Sequence, residues 1–191
     1  MADILLISAC VREQSRTLEL ARHVLGLLGG EVEEVNLYKE TLDPLDATGM
    51  QERDAACRAK DFSADRFALA RQFARAKTIV IAAPYWDLMF PSVLKTYFEA
   101  VTVNGLTFAY GENGIPTGLC QAERMLYITT SGGPIMKNFG YEYACALAKS
   151  FYGIKDVRCF SAQGLDIHDA DVEKIMRDAK ETATVAFTCG G

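Results

Sequence analysis

The sequence predicts an α/β fold in which a five-stranded parallel sheet lies between two layers of helices. Short apolar runs alternate along the chain with longer segments of helical period, and this alternation is typical of a parallel sheet covered on both faces. The apolar runs are continuous rather than alternating, as expected of strands buried on both faces. The 191 residues contain no internal repeat and no linker, so we expect one domain over residues 1–191.

The spacing of the apolar residues distinguishes the predicted helices from the predicted strands along the chain. The first helix carries an apolar stripe that includes Leu18 and Ala21, and we expect it to stop at Gly29-Gly30. Residues 38–65 are polar and weakly periodic, which indicates loops with a short helix. The remaining patterns predict strands at 4–7, 32–37, 78–83, 126–129 and 157–162, and helices at 15–28, 66–76, from Pro91, at 141–152 and at 171–187.

Composition excludes several classes of function. The net charge is −5 and the basic residues are scattered, so we expect no nucleic-acid partner and no binding to anionic membranes. The longest apolar runs are too short to span a bilayer. The six cysteines form no C-x-x-C pair, and His23 and His168 lie far apart, so no metal site is expected. Dispersed thiols of this kind indicate a reduced, cytoplasmic protein.

Three loops that follow predicted strands have unusual chemistry. In open parallel sheets, ligands bind at the carboxyl ends of the strands, where the strand order reverses. The carboxyl ends of parallel strands meet at one edge, so the three loops are expected to lie close together. These loops are residues 8–17, 84–90 and 129–134.

The first loop leads into a helix N-terminus, whose N–H groups favour an anion. Ser15 and Thr17, with Arg16 between them, suit a phosphate cradle, but Ser15 is equally suited to cap the helix. The loop contains neither G-x-x-x-x-G-K-[ST] nor G-x-G-x-x-G. A tightly bound dinucleotide is therefore not expected on it.

The other two loops suit a planar ring. The second places Tyr85, Trp86 and Phe90 beyond a strand end, where aromatic side chains can cover a flat conjugated ligand. The same residues also suit the core or a subunit interface, and for Phe90 we favour that alternative. Gly132-Gly133 in the third loop allow close approach of the backbone to a ligand, although an ordinary turn uses them too. Together the loops predict a phosphate at one end of a site and a ring at the other.

The three loops do not combine a nucleophile with a base. Both histidines lie outside them, so neither a Ser/His/acid nor a Cys/His set is present. Cys10 lies near a helix N-terminus, a position that lowers the pKa of a thiol, but no base accompanies it. An enzyme with these loops relies on a cofactor for its chemistry.

Two segments resemble a known family. They read I-A-A-P-Y-W-D-L-M-F-P-S-V-L-K-T-Y-F-E at Ile81–Glu99 and G-L-T-F-A-Y-G-E-N-G-I-P-T-G-L at Gly105–Leu119. Both are similar to the FMN-dependent NAD(P)H azoreductase and quinone reductase family, for which T-F-x-Y-x-E-N-G followed by G-L is quite specific. The resemblance covers nearly the whole chain and is thin over residues 38–65. It implies a flavodoxin-like three-layer sandwich that binds FMN at the interface of a homodimer.

The resemblance also implies a mechanism and a set of site residues. NADH or NADPH gives hydride to the flavin N5 and leaves, and a quinone or azo compound then takes two electrons in the same pocket. The phosphate lies on the first loop and the isoalloxazine ring on the other two, with Tyr110 on the substrate side. The implied cofactor-binding residues are Cys10, Ser15, Arg16, Thr17, Pro84, Tyr85, Trp86, Asp87, Leu88, Thr130, Ser131, Gly132 and Gly133.

Three residues depart from the family pattern. Cys10 stands where a serine is usual, which weakens one hydrogen bond to the phosphate. Asp87 stands where an asparagine is usual; a carboxylate accepts from the ring N3–H but cannot donate to a carbonyl oxygen. Its charge is expected to lower the reduction potential of the flavin. Ser131 replaces an arginine found in some relatives, so acidic acceptors are expected to bind poorly.

Two other functions compete with the reductase. A flavodoxin-like electron carrier would pass single electrons to protein partners, but a net charge of −5 is mild for a docking face. The segment from Asn104 to Leu119 is also more than a minimal carrier needs. A flavin-free regulator could keep the same fold, because fold alone does not determine function.

Overall fold

Five parallel strands form the central sheet, in the order β2-β1-β3-β6-β7. The computed structural model describes residues 3–188. The strands are β1 (Ile4–Ser8), β2 (Val32–Asn36), β3 (Thr78–Ala82), β4 (Phe108–Tyr110), β5 (Pro116–Gly118), β6 (Arg124–Thr130) and β7 (Asp156–Ala162). The α-helices are α1 (Arg16–Leu28), α2 (Ala47–Ala59), α3 (Ala68–Arg75), α4 (Ser92–Val101), α5 (Phe139–Leu147) and α6 (Val172–Thr188). The predicted fold class is confirmed.

Helices cover the two faces of the sheet and bury its central strands, apart from the first residues of β3 and β6, Thr78 and Arg124, which are partly buried. Along β1, Leu5 and Ile7 point into a core shared with α3, α4 and α5. Ile4 and Leu6 point into a second core shared with α1 and α6. This two-sided burial explains why the strands read as continuous apolar runs in the sequence.

The strand order reverses at β1, which pairs with β2 on one side and β3 on the other. The loops after β1 and β3 therefore begin at neighbouring points and diverge, and a crevice forms between them. Backbone bonds extend the sheet into these loops, since the Ala9 amide donates to Ala82 O at 2.8 Å and the Tyr85 amide to Thr130 O at 2.9 Å. The walls of the crevice are thus fixed by a continuation of the backbone hydrogen bonds that join the strands of the sheet.

The antiparallel hairpin of β4 and β5 was not predicted. Each of its strands has only three residues, which is too short for a periodic pattern to be read. Its position depends on a contact distant in sequence, because Gly118 lies against the backbone of Tyr152 and Gly153. These two residues end a π-helical turn, Ala148–Tyr152, which continues α5.

Other element boundaries differ modestly from prediction. α2 is a full helix of 13 residues in the segment expected to be mostly loop; Gly49 is its only buried residue, so its apolar period is weak. Pro91 caps α4 rather than opening its first turn. The helix expected at 66–76 consists of a 3-10 turn, Asp65–Phe67, followed by α3.

Within residues 3–188, no helix combines the length and the apolar character needed to cross a membrane. The same residues contain no group of three or more His, Cys, Asp or Glu side chains placed to hold a metal ion. Cys189 lies outside the described residues. The thiols that the structure describes, all free, are those of Cys10, Cys57, Cys120, Cys145 and Cys159.

Candidate functional site

A cleft of about 450 Å³ opens at the carboxyl edge of the sheet. This volume lies within the range of about 300–1,000 Å³ typical of small-molecule sites. The cleft brings all three predicted loops together. Its lining residues are Cys10, Val11, Arg12, Gln14, Ser15, Arg16, Thr17, Pro84, Tyr85, Trp86, Thr130, Ser131, Gly132, Leu165 and Asp166.

The N-terminus of α1 forms one end of the cleft. Ser15 caps the helix, since its Oγ accepts from the Leu18 amide at 3.2 Å, so the capping interpretation of this serine is confirmed. The amides of Arg16 and Thr17 belong to the first turn and have no carbonyl partner within the helix. With the exposed side chains of Arg12 and Arg16, they give this end a positive character suited to a phosphate.

A buried pair of hydroxyls ties this end of the cleft to the sheet. Thr17 Oγ1 and Thr130 Oγ1 lie 2.6 Å apart, and the two residues are only 1% and 8% exposed. Thr17 belongs to α1 and Thr130 ends β6. The bond therefore fixes the helix N-terminus relative to the third loop.

Cys10 lies in the cleft wall but turns its thiol inward. Its Sγ donates to Ala82 O at 3.5 Å, and the residue is 5% exposed. Burial raises the pKa of the Cys10 thiol despite the nearby helix N-terminus, so the expected lowering is wrong. A protonated thiol that is already bonded to a carbonyl supports neither nucleophilic catalysis nor a strong bond to phosphate.

The second loop contains a strained two-residue turn. Trp86 and Met89 exchange backbone hydrogen bonds of 3.0 and 2.7 Å, and Asp87 and Leu88 between them have φ of 49° and 67°. Two positive φ angles in succession define the mirror-image turn that favours Asn or Asp followed by Gly. Leu88 is unfavourable there, and the turn is held in part by the Phe139 amide, which donates to Leu88 O at 3.1 Å.

This turn fixes the apolar wall of the cleft. Tyr85 is anchored because its hydroxyl donates to Lys137 O at 2.9 Å. Trp86 remains 43% exposed beside the cleft, an unusual exposure for so large an apolar side chain. Phe90 is 6% exposed and packs against Phe98 in the core, as the favoured alternative predicted.

The third loop uses its polar groups internally. The Ser131 hydroxyl donates to Gly133 O, although Ser131 also lines the cleft. Gly132 is in contact with the Asp166 carboxylate, which lies where a side chain at position 132 would begin. Gly133 is exposed and does not line the cleft. Of the two glycines, only Gly132 therefore has a role in local packing and lines the cleft.

Some predicted residues lie elsewhere, and some lining residues were not predicted. Asp87 and Leu88 form the turn beside the cleft but do not line it. Tyr110 lies on the β4–β5 hairpin, 56% exposed, with its ring packed edge-on against Phe108. Leu165 and Asp166 were not predicted, but they lie in the loop that follows β7. Because ligands bind at the carboxyl ends of parallel strands, the position of this loop after a predicted strand was the signal that could have identified them.

Comparisons with known proteins agree with this geometry. A family model described as "Flavodoxin-like fold" matches residues 2–185. The chain belongs to that family. Curated relatives named FMN-dependent NADH:quinone oxidoreductase occur in Coprothermobacter proteolyticus, 34% identical over 199 residues, and in Lachnoclostridium phytofermentans, 34% identical over 196 residues; each match covers 96% of both chains. The resemblance stated from the sequence motifs is confirmed.

Solved structures share the flavodoxin-like fold. An azoreductase from Bacillus anthracis str. Sterne superposes with a TM-score of 0.81 at 22% identity and covers 99% of this chain and 100% of its own. An FMN-dependent NADH-azoreductase from Bacillus anthracis str. Ames Ancestor, solved in complex with FMN, gives a TM-score of 0.79 at 24% identity and covers 99% of both chains.

The cleft of this flavodoxin-like protein fits an FMN-sized ligand in chemistry as well as volume. One end offers first-turn amides and two arginines to a dianionic group. The other offers Pro84, Tyr85 and Trp86 to a flat ring. The residues of this chain thus suit a ligand that is charged at one end and aromatic at the other.

Proposed function

We propose that this protein is an FMN-dependent NAD(P)H:acceptor oxidoreductase that reduces quinones or azo compounds by two electrons. The cleft carries the proposal, because it joins an anion-binding helix N-terminus to an exposed aromatic wall at the switch point of the sheet. The names of relatives that are 34% identical along almost their whole length support it. NADH, the donor in those names, is the donor we expect.

Each side of the cleft has a distinct part in this function. Arg16 and the amides of the first turn of α1 would hold the FMN phosphate, and Tyr85 and Trp86 would cover the ring and exclude water from it. When bound, FMN would supply the hydride chemistry, taking two electrons from NAD(P)H and passing them to the acceptor. The chain's own contribution is to position the ring and to leave one side of it open to substrates.

We also propose that the enzyme is a cytoplasmic homodimer. Exposed apolar side chains are concentrated around the cleft and on the β4–β5 hairpin, and a second copy would cover them. This arrangement would give Tyr110 its expected place on the substrate side, because within one chain it lies outside the cleft. The residues concerned are Trp86, Leu88, Tyr110, Ile115 and Phe139.

The electron-carrier alternative is less well supported. A carrier needs no hairpin beside its ring, whereas this chain has one at β4–β5 that carries Tyr110. Relatives matched over 96% of both chains are named as FMN-dependent NADH:quinone oxidoreductases. Turnover with a small acceptor separates the two functions.

An absorbance spectrum tests the proposal. Purified protein is mixed with FMN, desalted, and recorded before and after anaerobic addition of NADH, and then after addition of a benzoquinone. We expect retained flavin bands that NADH bleaches and the quinone restores. Retained bands that neither NADH nor, in a second run, NADPH bleaches would contradict the reductase, and no NADH oxidation by quinone even with excess FMN present would contradict it too.

Matched substitutions connect the result to the cleft. Trp86→Ala removes an exposed aromatic side chain from the cleft wall and is expected to weaken flavin retention. Val185→Ala removes an exposed apolar side chain from α6, where Val185 is 57% exposed, and is expected to leave retention unchanged. Equal retention by the two variants would place the flavin elsewhere.

A further inference from the structure

An ion pair joins the two sides of the cleft beside the N-terminus of α1. Arg16 Nη1 donates to Asp166 Oδ1 at 3.3 Å. Arg16 is the first residue of α1, and Asp166 lies in the loop after β7. Both side chains line the cleft. The arginine best placed to meet a phosphate is therefore already occupied by a carboxylate of the same chain.

Backbone contacts hold Asp166 in this position. Its amide donates to Gly132 O at 2.9 Å, and the preceding Leu165 amide donates to Ser131 O at 3.1 Å. A Cβ at position 132 would lie 2.4 Å from Asp166 Oδ2, so any residue other than glycine would push the carboxylate away from its present position. Gly132 does not have a positive φ, and its lack of a side chain is explained by this contact. The backbone that carries Asp166 is thus held at the cleft wall, whereas its exposed carboxylate is free to leave Arg16.

We propose that Asp166 is an internal competitor for the cofactor phosphate: its carboxylate holds Arg16 in the flavin-free chain, and the phosphate of FMN displaces it on binding. This inference rests on the proposed function. The side chains of Arg16 and Asp166 are 44% and 75% exposed, so their pairing is weak and readily exchanged. A phosphate with nearly two negative charges and three acceptor oxygens binds an arginine more strongly than one carboxylate does.

The competition lowers the affinity of the cleft for FMN. Exposed ion pairs of this kind shift an equilibrium by a factor of roughly two to five. Asp166→Asn keeps the size of the side chain and the backbone bonds but removes the charge. We expect it to lower the Kd for FMN by that factor of roughly two to five. The Kd for riboflavin, which lacks the phosphate, is expected not to change.

The experiment titrates FMN and riboflavin into flavin-free protein and follows quenching of the flavin fluorescence. Asp169→Asn is the matched control: Asp169 lies in the same loop, is paired with His168 and does not line the cleft. Its φ of 60° suits asparagine as well as aspartate. Both variants remove one negative charge from one loop, so a difference between them reports position rather than net charge.

Arg16→Gln, alone and combined with Asp166→Asn, tests the exchange itself. If Asp166 acts by occupying Arg16, the gain from Asp166→Asn should shrink in the Arg16→Gln background. An equal gain in both backgrounds, an equal gain for riboflavin, or an equal gain from Asp169→Asn would overturn the proposal. So would weaker FMN binding by Asp166→Asn, because that result would mean that Asp166 positions Arg16 for the phosphate.

The proposed function can fail separately from this inference. Wild-type protein that does not quench FMN fluorescence overturns both. If the wild-type protein binds FMN and the Asp166→Asn variant binds it no more tightly, only the proposal that Asp166 competes with the phosphate is overturned. A gain specific to FMN and dependent on Arg16 supports both.

Discussion

The hydroxyl pair between Thr17 and Thr130 is expected to be a strongly coupled unit. In Thr130→Val, the Thr17 hydroxyl, in a residue 1% exposed, loses its partner in a site that water does not reach. In Thr17→Val, Thr130 is 8% exposed and retains slight access to solvent. An unpaired buried polar group costs about 1–3 kcal/mol. We therefore expect Thr130→Val to lower the free energy of unfolding by about 2 kcal/mol and Thr17→Val by about 1 kcal/mol.

The double variant decides whether this reasoning holds. Valine has the shape of threonine, and replacing both partners of a hydrogen bond with apolar groups of the same shape is close to neutral. The double variant should therefore cost at least about 1 kcal/mol less than the sum of the single variants. Urea denaturation of flavin-free protein measures all three values. Thr182→Val serves as a control, because Thr182 is exposed on α6 and bonds only within its own helix.

Additive losses would refute the coupling. If the two single costs simply sum, the hydroxyls are satisfied separately and the 2.6 Å contact does not stabilise the protein. A change in Thr182→Val as large as in the single variants would attribute the loss to threonine substitution in general. Either result would remove the argument that this pair fixes the helix N-terminus against the third loop.

Two further substitutions test the ring end of the cleft and the hairpin. Asp87→Asn removes a charge beside the proposed ring and should raise the reduction potential of the flavin by about 20 mV, which corresponds to about 1 kcal/mol for a two-electron couple. Equal potentials for the variant and the wild type in a spectroelectrochemical titration would contradict this prediction. Gly118→Ala would place a Cβ 2.1 Å from the carbonyl carbon of Tyr152. We expect it to lower the free energy of unfolding, measured by urea denaturation, by about 2–4 kcal/mol. Gly26→Ala, at a position on α1 with open space around it, should raise that free energy by about 0.5–1 kcal/mol. Similar effects of the two alanines would exclude the close contact as the cause.

The sheet and the location of the site were predictable because both depend on local signals. A strand buried on both faces, such as Ile79–Ala82, must be apolar at every position, and this burial is visible in the sequence as a continuous run. The end of such a strand is equally visible. The topological rule for parallel sheets then brings the loops after β1, β3 and β6 together without any knowledge of side-chain contacts.

The features that were missed depend on contacts between distant residues. The β4–β5 hairpin is positioned by Gly118, which packs on Tyr152 at the end of the π-helical turn. These two residues are 34 positions apart in the sequence. α2 has a weak period because it is almost entirely exposed. The pKa of Cys10 depends on two opposing effects, a helix N-terminus and burial, and the sequence reveals only the first.

The cleft combines an end built from backbone amides with a small number of side chains that bear on ligand binding. The end of the cleft that suits an anion consists of backbone amides at the N-terminus of α1. Any sequence that begins a helix after the first strand would supply such amides. Three side chains in or beside the cleft are expected to act against a bound anion: the Cys10 thiol, which is turned toward a carbonyl, the Asp87 carboxylate beside the proposed ring, and the Asp166 carboxylate on the proposed phosphate ligand Arg16. The fold therefore determines where the cleft lies, and we expect these side chains to affect how tightly the cofactor is held and how readily it is reduced.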